Sequence, residues 1–229
     1  MKYLKILGLA AVSAAALMAF VGAGTASATV LCTTEGIKNG GVTGTTCPEG
    51  WAVPAKTKIH AVLEAETHAT LTDENGNKVV TCKESTVEGE TSNEGSQTET
   101  VSGGVTILTF GNCSSPLTGG TCTVATIKGG TLEIHWIEGS HDGTLTSNGA
   151  TVTTQCTSIF GNIHCLYVTE NTHLGRLTGS ATTGGTATMD IESAFISQEP
   201  TSGLCPAKAF WDAKYLVTTP DVLNVSGET

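Results

Sequence analysis

Apolar and polar residues alternate along most of the chain after residue 57, and the clearest example runs from Lys58 to Thr72. One face of this segment is apolar. The opposite face carries His60, Glu64, Glu66, His68 and Thr70. Alternation of this kind is typical of a β-strand with one buried face. The segment is therefore predicted to be one half-buried strand.

Short turn signals separate the other alternating segments. Asn75-Gly76 and Asn148-Gly149 are Asn-Gly pairs, which favour tight hairpins because both residues tolerate positive φ. Gly129-Gly130 stands between two further apolar runs, and a hairpin is predicted there as well. A last alternating segment, from Trp211 to Val217, is expected to bury one face and complete the core.

Together these segments amount to about 10–12 short strands, and no long stretch has the apolar period of a helix. The sequence predicts an all-β protein, namely a disulfide-stabilised antiparallel β-sandwich, with a β-barrel as the alternative. Residues 29–229 have the length of a single domain of this class.

The first 28 residues have the features of an export signal. Lys2 and Lys5 form a basic start, an uncharged apolar run follows, and Ala26-Ser27-Ala28 offers small residues for cleavage. The apolar run is shorter than the roughly 20 residues that a membrane span needs. The predictions are a signal peptide over 1–28, a mature start at Thr29, secretion from a bacterium, and no membrane attachment after cleavage.

All eight cysteines lie after the signal, and an even number in an exported chain indicates disulfides. Cys32 and Cys47 bracket a Gly-rich loop and are predicted to pair. Eight residues separate the cysteines in each of two further predicted pairs, Cys113–Cys122 and Cys156–Cys165. Elimination then leaves the pair Cys82–Cys205.

The formal charge is −10 and becomes more negative when the two lysines of the signal are removed. Nucleic acids and anionic lipids attract basic surfaces, so neither is expected as a partner. The expected partner is an unknown extracellular ligand, either a glycan or a protein.

Four residues are the candidates for binding: Trp51, His60, Glu66 and His68. Trp51 lies outside a clear strand and could stack on a sugar ring. Residues i and i+2 on one strand face are about 7 Å apart, so Glu66 and His68 need a third ligand to hold a metal. Asp73 to Asn77 resembles part of a calcium loop, but a hairpin turn explains the same residues. Neither a metal site nor a cofactor is therefore predicted.

Glu133 and His135, followed by His141 and Asp142, could supply an acid and a base. Known hydrolase and metalloprotease motifs are missing around them. No catalytic residue is therefore predicted, and the chain is not expected to be an enzyme.

Several structural residues resemble those of uncharacterised secreted proteins of actinobacteria. The likeness lies in Cys82 with Ser85, in Phe110-Gly111-Asn112-Cys113, in Cys156 and Cys165 before Tyr167, and in the segment from Cys205 through Trp211 to Pro220. The resemblance implies a secreted, disulfide-containing β fold and transfers no activity. The leading hypothesis is a non-enzymatic extracellular binding or surface-structural module. The alternatives are a secreted hydrolase and a carbohydrate-binding module.

Overall fold

The computed structural model describes residues 28–33, 46–48, 50–96, 98–116, 118–158, 161–180, 185–199 and 205–227. Within these ranges the chain forms strands and turns and contains no helix. The predicted signal peptide, apart from its last residue, lies outside the described residues.

Fifteen strands are present in the described part of the chain. In order they are β1 (Thr29–Thr33), β2 (Lys58–Leu63), β3 (Ala69–Asp73), β4 (Lys78–Thr91), β5 (Gly95–Ser96), β6 (Val101–Ser115), β7 (Gly120–Lys128), β8 (Thr131–Trp136), β9 (Gly143–Asn148), β10 (Thr151–Ser158), β11 (Gly161–Val168), β12 (Thr172–Thr178), β13 (Thr188–Glu199), β14 (Lys208–Thr219) and β15 (Leu223–Ser226).

Four pairs of short strands each act as one long strand with a break in the middle. For example, β7 pairs with β6 near Cys113 and β8 pairs with β6 near Val101, and both run antiparallel to β6. The same relation joins β2 to β3, β9 to β10, and β11 to β12. With the long strands β4, β6, β13 and β14, these make eight strand tracks.

Each track pairs antiparallel with the next one in sequence, and β14 pairs back onto both β2 and β3. The sheet is therefore closed, and its inward side chains form one core because neighbouring tracks share their inner face. The predicted all-β antiparallel class is confirmed. The structure adds that the layers of the predicted sandwich are joined along both edges, which is the geometry of the barrel alternative.

Two of the predicted hairpins, at Gly129-Gly130 and at Asn148-Gly149, are wrong. Asn75-Gly76 does connect the paired strands β3 and β4. By contrast, β7 does not pair with β8 across Gly129-Gly130, nor β9 with β10 across Asn148-Gly149, because the chain continues in the same direction along its neighbour. Gly130 and Gly149 have φ of 73° and 71°. Glycine adopts this conformation without strain, so it permits a kink within a long strand here.

The predicted strand from Lys58 to Thr72 is also interrupted. β2 ends at Leu63, and a turn follows in which Thr67 donates both its N–H and its hydroxyl to the Glu64 carbonyl. Glu66 has a φ of 64°, which no regular strand accommodates. The polar face expected from His60 to His68 therefore does not exist as one surface.

One end of the closed sheet, called the plugged end here, is covered by β1 and β15, which lie near the two ends of the described residues. Strands β15, β1 and β5 form a separate three-stranded sheet in that order. Leu31, Leu223 and Val225 belong to the buried core. The backbone N–H of Trp136 donates to Thr29 Oγ1 over 2.9 Å, and this hydrogen bond connects the small sheet to β8.

The opposite end, called the stapled end, carries three disulfides: Cys82–Cys113, Cys122–Cys156 and Cys165–Cys205. The predicted pairs Cys113–Cys122, Cys156–Cys165 and Cys82–Cys205 are wrong. Cys32–Cys47 forms as predicted, although most of the loop it closes lies outside the described residues.

The cysteine register explains the correction. Cys82, Cys113, Cys122 and Cys156 face one another in a single row across β4, β6, β7 and β10. Cys113 therefore has two equally placed neighbours, and bonding to Cys82 leaves Cys122 to bond to Cys156. Cys156 faces Ile163, and Cys165 faces Thr154, so the second predicted pair is offset along its hairpin.

Candidate ligand-binding site

His60 lies on the outer surface of the closed sheet, between β14 and β4. Its Nδ1 lies 2.6 Å from Thr218 Oγ1, and its Nε2 lies 3.8 Å from a carboxylate oxygen of Glu88. Thr218 also lies within hydrogen-bonding distance of the His60 carbonyl, at 3.3 Å. The hydroxyl thus links two neighbouring strands in an exposed position, where water competes for each of these contacts.

Glu66 and His68 are exposed in the turn between β2 and β3. They do not share a regular strand face with His60, because the strand ends before them. Throughout the described ranges, no group of three or more His, Cys, Asp or Glu side chains is arranged to hold a metal ion.

Trp51 is half-buried and packs against the small cluster formed by Val30, Cys32 and Cys47. The backbone N–H of Trp51 donates to the Pro48 carbonyl, and the Trp51 carbonyl accepts from the backbone N–H of Thr33 over 3.0 Å. The indole therefore lies over the N-terminal disulfide. The structure does not join Trp51 and the three polar candidates into one pocket: each has its own separate surroundings.

The acid and base candidates, Glu133 and His135 on β8 and Asp142 in the loop after it, have separate surroundings. Glu133 and His135 form an exposed contact of 3.8 Å. Asp142 accepts the Gly179 N–H and pairs with Arg176 at 3.0 Å, so both of its oxygens are engaged in closing the plugged end. These groups stabilise loops and strands, and do not converge on one point.

The interior of the closed sheet contains a cavity of about 100 Å³ between its middle and the stapled end. Side chains from most of the tracks form its wall. Representative apolar members are Val80, Leu108, Phe110, Leu132, Leu145 and Ile191. None of the described residues that line it carries a charge. Its polar lining comes from hydroxyls and from one indole.

A second cavity of about 70 Å³ lies between the middle and the plugged end, where Leu31 and Leu223 cover it. The two cavities share the side chains of Val87, Val105, Leu132, Leu145 and Met189. They are therefore adjacent along the axis of the sheet. Met189 is the most adaptable of the shared side chains, since its unbranched thioether has three rotatable bonds.

One polar group of the larger cavity is fully satisfied. Tyr215 is completely buried, and its hydroxyl lies 2.9 Å from Ser85 Oγ, which in turn donates to the Thr109 carbonyl. Burial raises the pKa of Tyr215, and the Ser85 hydrogen bond opposes this only in part. The tyrosine is a neutral member of the wall.

Two polar groups of the same cavity have no partner. The Tyr167 hydroxyl and the Trp211 Nε1 are buried and make no hydrogen bond, although Tyr167 is only 2% exposed. Trp211 is held edge-on between Phe110 and Tyr215, with ring centroids 6.3 Å from each. Burial raises the pKa of Tyr167 to about 12. Two neutral hydrogen-bond donors without a partner therefore belong to side chains of the cavity wall.

Sequence reasoning placed Trp211 on the buried face of the last strand and missed its polar edge. The cavity is formed by residues that are far apart in sequence, so no local motif announces it. The available signal was the inward alternation of Tyr167, Trp211 and Tyr215, which are aromatic residues with polar tips.

Within the described residues, no helix is long and apolar enough to cross a membrane. Comparison of the chain with protein-family models, with curated proteins and with solved structures finds no match.

Proposed function

We propose that this protein is a non-enzymatic extracellular binding module that holds a small apolar molecule inside its closed sheet. The observation that carries this proposal is the uncharged cavity of about 100 Å³ within the core. Protein interiors are normally packed as densely as organic crystals, so an internal space of this size leaves contacts unmade that a guest can supply.

The size and lining of the cavity favour a small guest. An engineered apolar cavity of about 150 Å³ stays dry and binds benzene. The larger cavity here is somewhat smaller, and the second cavity of about 70 Å³ adjoins it. A slender molecule that spans both therefore fits better than a bulky one.

The four disulfides indicate that the protein functions in an oxidising environment such as the extracellular space. Export by the predicted signal and cleavage before Thr29 are part of the proposal. N-terminal sequencing of the exported protein tests both, and a start at a lipid-modified Cys32 contradicts release from the membrane.

The binding proposal is tested by thermal unfolding with and without benzene or hexane, because a guest that binds only the folded state raises the melting temperature. Ala69 lines the larger cavity and is 3% exposed. Ala69→Ile fills the space, and we expect it to reduce the rise. Ala125→Ile is the matched control, since Ala125 is an exposed strand residue. If neither guest raises the melting temperature of the wild type, the proposal is wrong.

The hydrolase alternative rests on His60 and its contacts with Thr218 and Glu88. It predicts turnover of chromogenic esters that Thr218→Val abolishes. The binding proposal predicts no such turnover, and no change in guest binding in that variant, because Thr218 is exposed.

A further inference from the structure

The two unpartnered donors of the cavity carry information about the guest. A buried hydrogen-bond donor without an acceptor is costly in a folded protein, and such groups are rare. Here two of them, Tyr167 OH and Trp211 Nε1, belong to side chains that line one cavity. The third large polar aromatic of that wall, Tyr215, has its partner in Ser85. Among the described residues that line this cavity, the unmet capacity is thus confined to these two donors, while the other buried atoms without a partner belong to Thr81, His141 and Asn224, outside its wall.

Both groups act as donors toward a guest. The indole N–H has no acceptor capacity, and a phenol at neutral pH readily donates its proton. Tyr167 is neutral at neutral pH, and burial raises its pKa further, to about 12. The matching group on a guest is therefore an oxygen that accepts hydrogen bonds.

The lining also decides the charge of that acceptor. The described residues around the larger cavity include no lysine, arginine or histidine. An ionised carboxylate placed there loses its hydration and gains no opposite charge, which is strongly unfavourable. A neutral carbonyl oxygen loses much less hydration and is served by the two donors.

We propose that the guest is a small neutral carbonyl compound, such as an ester, ketone or aldehyde, whose oxygen accepts hydrogen bonds from Tyr167 or Trp211 and whose apolar body fills the adjoining space. This inference rests on the proposed function, because it concerns the same cavity. The chain of the guest extends toward the second cavity past Met189, which lines both spaces.

The test compares three probes of similar size: methyl pentanoate, which has a neutral acceptor; hexane, which has none; and hexanoate, which is ionised at neutral pH. Affinity is measured on the full disulfide-bonded protein by calorimetry and thermal unfolding. We expect the ester to bind most tightly and hexanoate least. Loss of one hydrogen bond lowers affinity by roughly five- to tenfold, so hexane should bind at least that much more weakly than the ester.

Two conservative variants separate the donors from the cavity. Tyr167→Phe and Trp211→Phe each remove a donor and keep an aromatic ring. We expect the affinity for the ester to fall by roughly five- to tenfold in at least one of the two variants. The affinity for hexane should stay unchanged in both. The matched control is Tyr215→Phe, which removes a hydroxyl already paired with Ser85 and should leave the preference for the ester intact.

A spectroscopic readout does not depend on variants. The Trp211 indole N–H resonance should move downfield on addition of the ester and stay in place with hexane. The Trp136 indole N–H already donates to the Ser140 carbonyl over 2.8 Å, so its resonance should not move and serves as the internal control. This measurement keeps the inference testable if Trp211→Phe fails to fold.

The outcomes distinguish this inference from the proposed function. If none of the three probes binds, the proposed function itself is wrong. If hexane and the ester bind equally and Tyr167→Phe changes neither, the cavity binds apolar guests but the assignment of a carbonyl acceptor is overturned. Preferential binding of hexanoate likewise overturns the neutral acceptor.

Discussion

The two ends of the closed sheet are held together by different means. At the plugged end, β1 and β15 pair with each other and bury Leu31, Leu223 and Val225 in the core. At the stapled end, three disulfides join neighbouring tracks, and the cavity that carries two unpartnered donors lies beneath them. Three of the four disulfides thus join tracks at the stapled end, whereas the plugged end is covered by its own small sheet, in which Cys32 of β1 is bonded to Cys47 and the smaller cavity lies beneath.

This contrast has a physical rationale. Packing of apolar side chains stabilises the folded state directly, whereas a disulfide acts mainly by restricting the unfolded chain. The larger cavity and its two unsatisfied donors cost part of the packing energy of the stapled half. Disulfides can offset that loss without occupying the space, which leaves the cavity available to a guest.

The largest expected effect comes from removing two of the staples. In the chain-entropy model, Cys82–Cys113 and Cys122–Cys156 each contribute roughly 3–4 kcal/mol. Their combined loss approaches the total stability of a typical small domain, about 5–15 kcal/mol. We expect the variant with alanine at all four positions to be unfolded by circular dichroism at ambient temperature.

The control for that variant removes the disulfide of β1, at the plugged end. Alanine at both Cys32 and Cys47 should cost roughly 3 kcal/mol, because its loop is shorter, and should leave the sheet folded. A cooperative melt of the fourfold variant near the wild-type temperature would show that the staples are dispensable and that the two ends do not differ in the way described.

The second prediction concerns the plugged end. Leu223 is 2% exposed and covers the smaller cavity. Leu223→Ala should lower the free energy of unfolding by about 2–5 kcal/mol, the range for deleting a buried leucine side chain. Urea unfolding measures it. The control is Ile127→Ala, at an exposed site, where a change within about 0.5 kcal/mol is expected. A loss as small as that of the control would place β15 outside the core.

The inner face of β14 could be predicted from the sequence, whereas β1 of the plugged end and the disulfides of the stapled end could not. The alternation of Trp211 to Val217 predicts the inner face of β14, and Ala213, Tyr215 and Val217 are indeed buried. The three disulfides of the stapled end could not be predicted, because Cys113 faces both Cys82 and Cys122, and only the strand register shows this.

The kinks were missed for a related reason. Gly129-Gly130 and Asn148-Gly149 supply positive φ, and local sequence does not show whether that conformation reverses the chain or bends it. The cavity was missed because it depends on the volumes of side chains brought together from many strands. The candidates Glu66 and His68 were chosen from an alternation that the turn after Leu63 interrupts.

The third prediction uses the two buried tyrosines of the stapled half. The pKa of Tyr167 is raised to about 12 by burial, against an unfolded value of about 10. A raised pKa contributes stability that is fully present below the unfolded value and is lost as pH rises through the folded value. Stability should therefore fall between about pH 10 and 12, by roughly 2–3 kcal/mol for this residue alone.

Ultraviolet absorbance of tyrosinate measures this titration. A chain that begins at Thr29 contains only Tyr167 and Tyr215, and both are buried. Tyrosinate should therefore appear only together with loss of the sheet signal in circular dichroism, and a thiol assay excludes cleavage of disulfides by base. Tyrosinate formed near pH 10 with the sheet intact would contradict the burial of at least one of them. Tyr167→Phe should reduce the decline between pH 10 and 12, and Tyr215 accounts for what remains.

The smallest expected effect is local and lies in the β3–β4 turn at the stapled end. Asp73 Oδ1 accepts the N–H groups of Asn75 and Asn77 over 2.9 and 2.8 Å, and the Asn77 side chain donates to Oδ2. The hydrogen bonds from Asn77 hold the pKa of Asp73 below its usual value, and the bond from the Asn77 side chain has the larger effect. A lowered pKa gives stability that is present above the unfolded value, about 3.9, and is lost as pH falls through the folded value.

Hydrogen exchange of single amides tests this turn without unfolding the protein. Once acid protonates Asp73, protection of the Asn75 and Asn77 amides should decrease after correction for intrinsic exchange. The Gly149 amide is the control, because it donates to the backbone carbonyl of Thr169 and depends on no carboxylate. Asp73→Asn should show the reduced protection already at neutral pH. Equal protection in acid and at neutral pH would mean that the backbone, and not the carboxylate, holds the turn, and the stapled end would then depend on its disulfides still more.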